Sequence, residues 1–410
     1  MRGGLGAVLW ARRDFDRVLF WSVVALLVIG IAFVYSATVE NVQVPTPLHT
    51  RQIVWALLGL ALLFLVTALP IQFFYSTSYI LYGLAILLLV GILVAVGGSS
   101  RWFDFPLGIR FQPSEPAKVA LILAAARYLA GRNVSFRRVQ DFLVPMALGG
   151  LPFLLVARQP DLGTSVIFPV IIIPMLFWRG LPLWAIILLC SPGLSVMTAF
   201  SPLTWGLMLL VIGAIVWRAR LRRGVAAAVL LTVIAFGVLT PMAWDHLHEY
   251  QKQRIVTFLN PQQDRLGAGY HIIQSTVAVG SGGLLGKGYL QGTQTKLNFL
   301  PEQHTDFIFS VIAEETGLLG ALTVILLFSL ILARALRAAA EIRNPFGQLV
   351  VVGATAVLFF HFVVNVGMAL GLLPITGLPL PFVSYGGSHL LSQMVLIGLI
   401  LGFRMRWMEY

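Results

Sequence analysis

A single cysteine, Cys190, stands in the whole chain, inside an apolar run, so no disulfide can form within it and thiol chemistry finds no second cysteine. Charge is almost as scarce. Asp, Glu, Lys and Arg make up 11% of the 410 residues, whereas a soluble domain carries about 25%. With 58% hydrophobic residues and a mean hydropathy of +0.89, the chain has more apolar surface than one water-soluble core can hide. The natural solvent is the bilayer, and the class is a polytopic all-α membrane protein. Acidic residues are the scarcer sign, 16 against 28 Lys+Arg, for a net charge of +12. In a soluble chain that excess would point to nucleic acid. Here no basic, aromatic-interleaved soluble domain could carry such binding, and the arginines read as residues that hold loops on the cytoplasmic side.

The nucleotide motifs are missing too. The stretch "VGSGGLLGKG", Val279 to Gly288, has the glycines and the lysine of a phosphate-cradling loop. A Walker loop needs Gly, four residues, then Gly-Lys-Ser/Thr. Counting back from Gly286, the first position is Ser281, and Gly288 follows Lys287. No G-x-G-x-x-G fits the stretch either, so no nucleotide partner is expected.

What is present is a series of apolar segments. A spanning helix needs about 20 mostly apolar residues. Candidates begin near Val18, Gln52, Tyr75, Pro116, Phe142, Gly163, Pro182, Leu203, Val225, Thr305, Leu349 and Val383, which makes about twelve. Basic clusters in the N-terminal tail, "GRNVSFRR", near Arg179, "WRARLRR", "RALRAAAEIR" and the C-terminus then all fall on one side. That side is the cytoplasm, with both termini inside. The N-terminal stretch reads as a cytoplasmic tail and not a removable signal, since no small-residue cleavage site follows a short apolar core. The long segment 244–306 faces outward, and its aromatic and β-branched content predicts a folded, partly helical loop at the membrane surface.

Functional side chains crowd the outward loops. Glu115 and Lys118, three apart on the helix that Ser114 is expected to cap and whose first turn holds Pro116, can meet on one face. They serve function, a structural ion pair, or both. Arg101 and Arg110 could hold a phosphate or a lipid headgroup. In "LPEQHTDF", Glu302, His304 and Asp306 lack the ligand set of a zinc site. Glu302 and Asp306 could offer oxygens to Mg2+ or Mn2+, and helix capping is the favoured alternative. "SYGGS", Ser384 to Ser388, reads as a backbone turn.

Five stretches, in order, resemble the SEDS family (shape, elongation, division and sporulation). They are "SSRWFDFPLGIRFQPSEPAK", "RQPDLGTS", "NPQQDRLGAGYHIIQS", "VGSGGLLGKGYLQGTQTKLNFLPEQHTDFIFSVIAEETGLLG" and "LPITGLPLPFVSYGGSHLL". "GYHIIQS" and "GTQTKLNFLPEQHTDFIF" look more like its elongation (RodA-like) branch than its division (FtsW-like) branch. The resemblance implies a glycosyltransferase of the bacterial cytoplasmic (inner) membrane that polymerises lipid II into a β-1,4 glycan by inverting displacement. It implies an active site facing outward and no organic cofactor. Partners would be a class B penicillin-binding transpeptidase and other elongation-complex membrane proteins. The family's ten spans make residues 181–224 an inserted two-span hairpin. The resemblance places the essential carboxylate at Asp264, acting as base directly or through a divalent cation. Arg101, Arg110, Glu115, Lys118, Lys287, Gln294 and His304 become candidates for binding the pyrophosphate or glycan. The glycines around Lys287 serve either backbone approach to that substrate or tight packing alone. A lipid flippase and a non-catalytic scaffold are the rival readings.

Overall fold

The computed structural model describes residues 15–39, 47–95, 100–105, 109–131, 139–159, 161–221, 223–246, 268–296 and 302–407, with single positions 252, 260, 262 and 299. Helices stand at all twelve expected places: α1 (Arg17–Ser36), α2 (Leu48–Ala68), α3 (Ile71–Ala95), α4 (Ser114–Ala130), α5 (Val139–Ala157), α6 (Leu162–Ser165) running into α7 (Ile167–Trp178), α8 (Leu183–Thr198), α9 (Pro202–Arg218), α10 (Arg223–His246), α13 (Ile308–Glu341), α14 (Pro345–Ala369) and α15 (Gly387–Met405). The loop before α13 holds α11 (Ala268–Ser281) and α12 (Thr293–Lys296). Among the described residues the β structure is one hairpin, β1 (Phe103–Phe105) against β2 (Ile109–Phe111), with Asp104 opposite Arg110.

Among the described residues eight helices, α1, α2, α3, α5, α10, α13, α14 and α15, are long and apolar enough to cross a membrane. The 17-residue α4 owes its lower hydropathy to Glu115, Lys118 and Arg127. Pro145, Pro152 and Pro174 lie inside α5 and α7.

The chain divides into two compact units, Met1–Met175 with Asn260–Tyr410, and Leu176–Leu259. In the first, α14 and α15 are the inner helices and α3 an outer one. Small residues let the backbones close up, as is usual where lipid gives helices no hydrophobic reason to associate. Gly398 and Gly402 of α15 lie against Leu63, Val66 and Thr67 of α2, and the Thr67 hydroxyl donates to the Gly398 carbonyl at 3.2 Å. At one end of this bundle three of the basic clusters read from sequence converge. Asp16, which caps α1, accepts from Arg334 Nε of α13 at 2.8 Å and pairs with Arg404 of α15.

The second unit contains residues 181–224, read from sequence as an inserted two-span hairpin, and its core joins three helices: Leu188 of α8, Ile212 and Val216 of α9 and Val233 of α10. Ser195 ties them, donating to the Val233 carbonyl at 2.7 Å and accepting from Trp205 Nε1 at 3.0 Å. Gly237 supplies the gap that the Trp205 indole fills.

Candidate active site

The turn after β2 starts α4 one residue earlier than expected. Pro113 adopts helical angles and occupies the cap position, Ser114 is the first helical residue, and its hydroxyl has no partner. Pro116 falls in the first turn, where its missing N–H costs nothing. This start turns Glu115 and Lys118 inward. Lys118 Nζ lies 2.8 Å from Glu115 Oε1, and both side chains are buried. Two charges out of water cost several kcal/mol each unless they pair closely and fill their other bonds.

Two histidines complete the cluster. His361 of α14 sets Nε2 3.3 Å from Lys118 Nζ and Nδ1 3.3 Å from the Pro379 carbonyl. Only a protonated nitrogen can bond a carbonyl, so the proton sits on Nδ1 and Nε2 accepts from the lysine. His389 of α15 puts Nδ1 3.5 Å from Glu115 Oε1, with its ring 4.7 Å from that of His361. Ser392 donates to the Glu115 carbonyl at 3.2 Å. The second carboxylate oxygen, Glu115 Oε2, has no hydrogen-bond partner among the described residues. Sequence reasoning missed both histidines. The available signal was an ionisable residue in each of two apolar spans, which marks function by default.

Glu115 also lines a cavity of about 720 Å3, within the usual range for a ligand pocket. Its walls are apolar, with Trp55, Leu88, Val119, Leu123, Leu391 and Val395 among them, and its polar groups are Arg110, Glu115, Ser388 and Ser392. A pocket with this lining suits an amphipathic ligand.

Both candidate arginines have acidic partners. Arg101 lies 3.1 Å from Asp161, a buried carboxylate that also accepts from Gln112 and from the backbone N–H of Thr164, capping α6. Arg110 pairs with Asp104 across the hairpin at 3.2 Å, both exposed.

The glycine-rich stretch is resolved by α13. That helix has 34 residues, about 51 Å if straight and far more than the ~30 Å of bilayer hydrocarbon. It breaks at Gly317, whose φ of 67° is open to glycine. The loop fills the break. Leu318 and Leu319 donate their N–H groups to the Gly283 and Leu284 carbonyls at 2.9 and 3.3 Å. In return Lys287 and Gly288 donate to the Glu314 and Glu315 carbonyls, each at 3.0 Å. A side chain at Gly282, Gly286 or Gly317 would overlap backbone across this joint. These three glycines therefore serve close packing.

Lys287 is committed to the same joint. Its Nζ lies 2.7 Å from both Glu314 Oε1 and Thr293 Oγ1. Glu314 Oε1 also accepts from the backbone N–H of Thr293 and Gln294, at 2.9 and 3.1 Å. Lys287 serves as counter-ion to a buried carboxylate. Gln294 contributes its backbone here, and its side-chain oxygen has no protein partner.

Glu302, His304 and Asp306 form a tight turn. The Glu302 carbonyl accepts from Thr305 and Asp306, both at 3.1 Å, and its carboxylate accepts from Thr305 Oγ1 at 3.1 Å. The His304 carbonyl accepts from Tyr385 N–H at 2.9 Å, and the Asp306 carbonyl accepts from Asn365 at 2.9 Å. Burial pushes the His304 imidazole below its ordinary pKa, opposed by the nearby Glu302 carboxylate. Ser384 fastens the "SYGGS" turn to this one, donating to the Thr305 carbonyl at 2.6 Å. Among the described residues no group of three or more His, Cys, Asp or Glu is arranged to hold a metal ion. Glu302 closes this turn through both its carbonyl and its carboxylate. Asp264 lies outside the described residues.

Apolar helices burying a carboxylate, a lysine and two histidines beside an apolar pocket define a multi-pass membrane protein with a site for an amphipathic molecule. The chain belongs to the FtsW/RodA/SpoVE family. The model of that family, described as cell cycle protein, matches residues 17–209 and 203–406. The peptidoglycan glycosyltransferase MrdB of Escherichia coli K12 is 36% identical over 396 residues, covering 96% of this chain and 94% of MrdB. The peptidoglycan glycosyltransferase RodA of Treponema pallidum is 34% identical over 432 residues, covering 96% and 98%. Among solved structures, RodA of Thermus thermophilus aligns with a TM-score of 0.62 at 29% identity, over 95% of this chain and 96% of that one. A chain from a peptidoglycan synthase complex, solved to explain how polymerization and crosslinking are coordinated, aligns with a TM-score of 0.72 at 32% identity, over 97% and 99%.

Proposed function

We propose that this protein polymerises lipid II at the outer face of the bacterial cytoplasmic membrane, with Asp264 as the base. It is a peptidoglycan glycosyltransferase of the RodA-like kind, as its relatives MrdB and RodA are. The single observation that carries the substrate reading is the apolar pocket with polar groups at Glu115, Arg110, Ser388 and Ser392. A lipid-linked sugar needs apolar walls for its isoprenoid and polar groups for its head.

The donor bond is α to pyrophosphate and the product bond is β-1,4, so one inverting displacement suffices. The acceptor hydroxyl loses its proton to a carboxylate as the new C–O bond forms and the bond to the pyrophosphate oxygen breaks. Asp264 takes that proton; a Mg2+ or Mn2+ ion held by this carboxylate would instead lower the pKa of the acceptor hydroxyl. No step requires a nucleotide, since the donor is already activated. Lys118 reaches the site only through Glu115 and His361, to which it is bonded, so it positions the carboxylate. Twelve crossings with both termini in the cytoplasm and 244–306 outside complete the reading. The partner is a transpeptidase of the class B penicillin-binding type, with which polymerisation and cross-linking would be joined.

The test is polymer formation from purified lipid II, in detergent without membrane asymmetry. Wild type should make glycan chains, and Asp264→Asn, inserted and folded as wild type, should make none. Near-normal polymer from the variant would sink the assignment of the base. No polymer from wild type would favour a flippase or a scaffold. An EDTA arm reads whether a cation is needed.

A further inference from the structure

We propose that the loop 282–289 is inserted into the bilayer, with Leu284 and Leu285 seated in lipid hydrocarbon although they belong to no spanning helix. These two side chains are 69% and 76% exposed, adjacent in sequence, with no apolar cover from the described chain.

Their depth is set by two separate contacts. The first is with α13. The loop's carbonyls at Gly283 and Leu284 accept from Leu318 and Leu319, which open the part of α13 beyond its break. Leu318, Leu319, Leu322 and Leu326 continue an exposed apolar strip along that part. Leu284 and Leu285 extend the strip sideways at the level of its first turn. The second contact is with α1. Tyr289 Oη donates to the Ala32 carbonyl at 2.8 Å. The 20 residues of α1 measure about 30 Å, the thickness of the hydrocarbon layer itself. Ala32 stands four residues before the end of α1, about 6 Å inward.

The loop also meets part of the condition for backbone at such a depth, which is that polar groups be satisfied by protein. The Gly282, Gly283 and Leu284 carbonyls and the Gly286, Lys287 and Gly288 N–H groups are all bonded. The Lys287 charge is neutralised by Glu314, as an ion at membrane depth requires. Lipid is the occupant the observations favour, because the patch is continuous with the outward apolar strip of a spanning helix.

The test uses full-length protein with Cys190→Ala, so that each introduced cysteine is the only one. Leu285→Cys, Leu284→Cys, Leu326→Cys and Gln291→Cys are each labelled with a nitroxide and reconstituted into phosphatidylethanolamine–phosphatidylglycerol vesicles. Collisions are measured with oxygen, which concentrates in lipid, and with a water-soluble nickel chelate. The expected result is oxygen-dominated collision at 284 and 285, matching 326, with severalfold less nickel collision than at 291. Nickel-dominated collision at 284 and 285 overturns the proposal. So does shielding from both reagents, which would mean that a second copy of the chain covers the patch. The outcome is independent of whether the protein polymerises lipid II.

Discussion

Lys287 Nζ and Glu314 Oε1 lie 2.7 Å apart, joining the glycine-rich loop to the helix it interrupts. The carboxylate is wholly buried and the lysine partly exposed, so the pair is asymmetric: the protein encloses the anion completely and the cation only in part. Lys287→Met should leave an uncompensated buried charge and cost about 3 kcal/mol, read as a lowered melting temperature in detergent. The double variant Lys287→Met with Glu314→Gln should recover part of that loss, since it removes the stranded charge. Equal melting temperatures for the single variant and wild type would contradict the geometry.

The joint itself predicts a second result. Gly317→Ala places a Cβ at a φ of 67° and into the Leu284 and Gly286 backbone. The φ strain alone is worth about 1–3 kcal/mol, and the overlap forces the loop away. Thermal stability should fall, and hydrogen exchange at the N–H groups of Leu318 and Leu319 should rise. Unchanged exchange there would mean that the loop does not supply their acceptors.

Charge reversal tests the buried cluster. Glu115→Lys and Lys118→Glu should each abolish polymer formation, because each puts two like charges about 3 Å apart. Combining them restores a pair but leaves a carboxylate facing His361 Nε2, which now accepts from Lys118. Recovery in the double variant should therefore be partial. Full recovery would mean that the histidine plays no part in fixing the lysine.

His304 gives a pH prediction with a definite sign. Its folded pKa lies below the ordinary value of about 6.5, because burial disfavours the imidazolium. The unfolded chain then binds more protons than the folded one as pH falls. The stability contribution is fully present above about pH 6.5 and is lost on acidification through the folded pKa. Melting temperature should decline below that point, and His304→Gln should flatten the decline. His271 is shifted the same way for the same reason, so some slope will persist in that variant. A wild-type slope of opposite sign would refute the burial argument.

The helical places were legible because a bilayer forces the pattern: about 20 apolar residues are needed to cross it, wherever they pack. The Glu115–Lys118 pair was legible because three residues is a local distance on a helix. What could not be read was what meets that pair. His361 and His389 follow Lys118 by 243 and 271 positions, and only the packing of α14 and α15 against α4 brings them in.

The same division explains the glycine-rich stretch. Its composition reports that backbone must come close to something, since a glycine at positive φ or in tight contact cannot be replaced cheaply. It does not name the neighbour. Register spoke against a nucleotide-binding loop, and the charge pattern gave an outward-facing segment as an expectation. The partner proved to be α13 itself, whose break at Gly317 exposes four backbone groups that the loop completes. Class, helix positions and family were set by sequence, because they follow from solvent and local spacing. The bonded partners of Lys287 and Arg101, and the histidines that meet Lys118 and Glu115, were decided by tertiary structure, because a buried carboxylate takes whichever opposite charge the fold delivers.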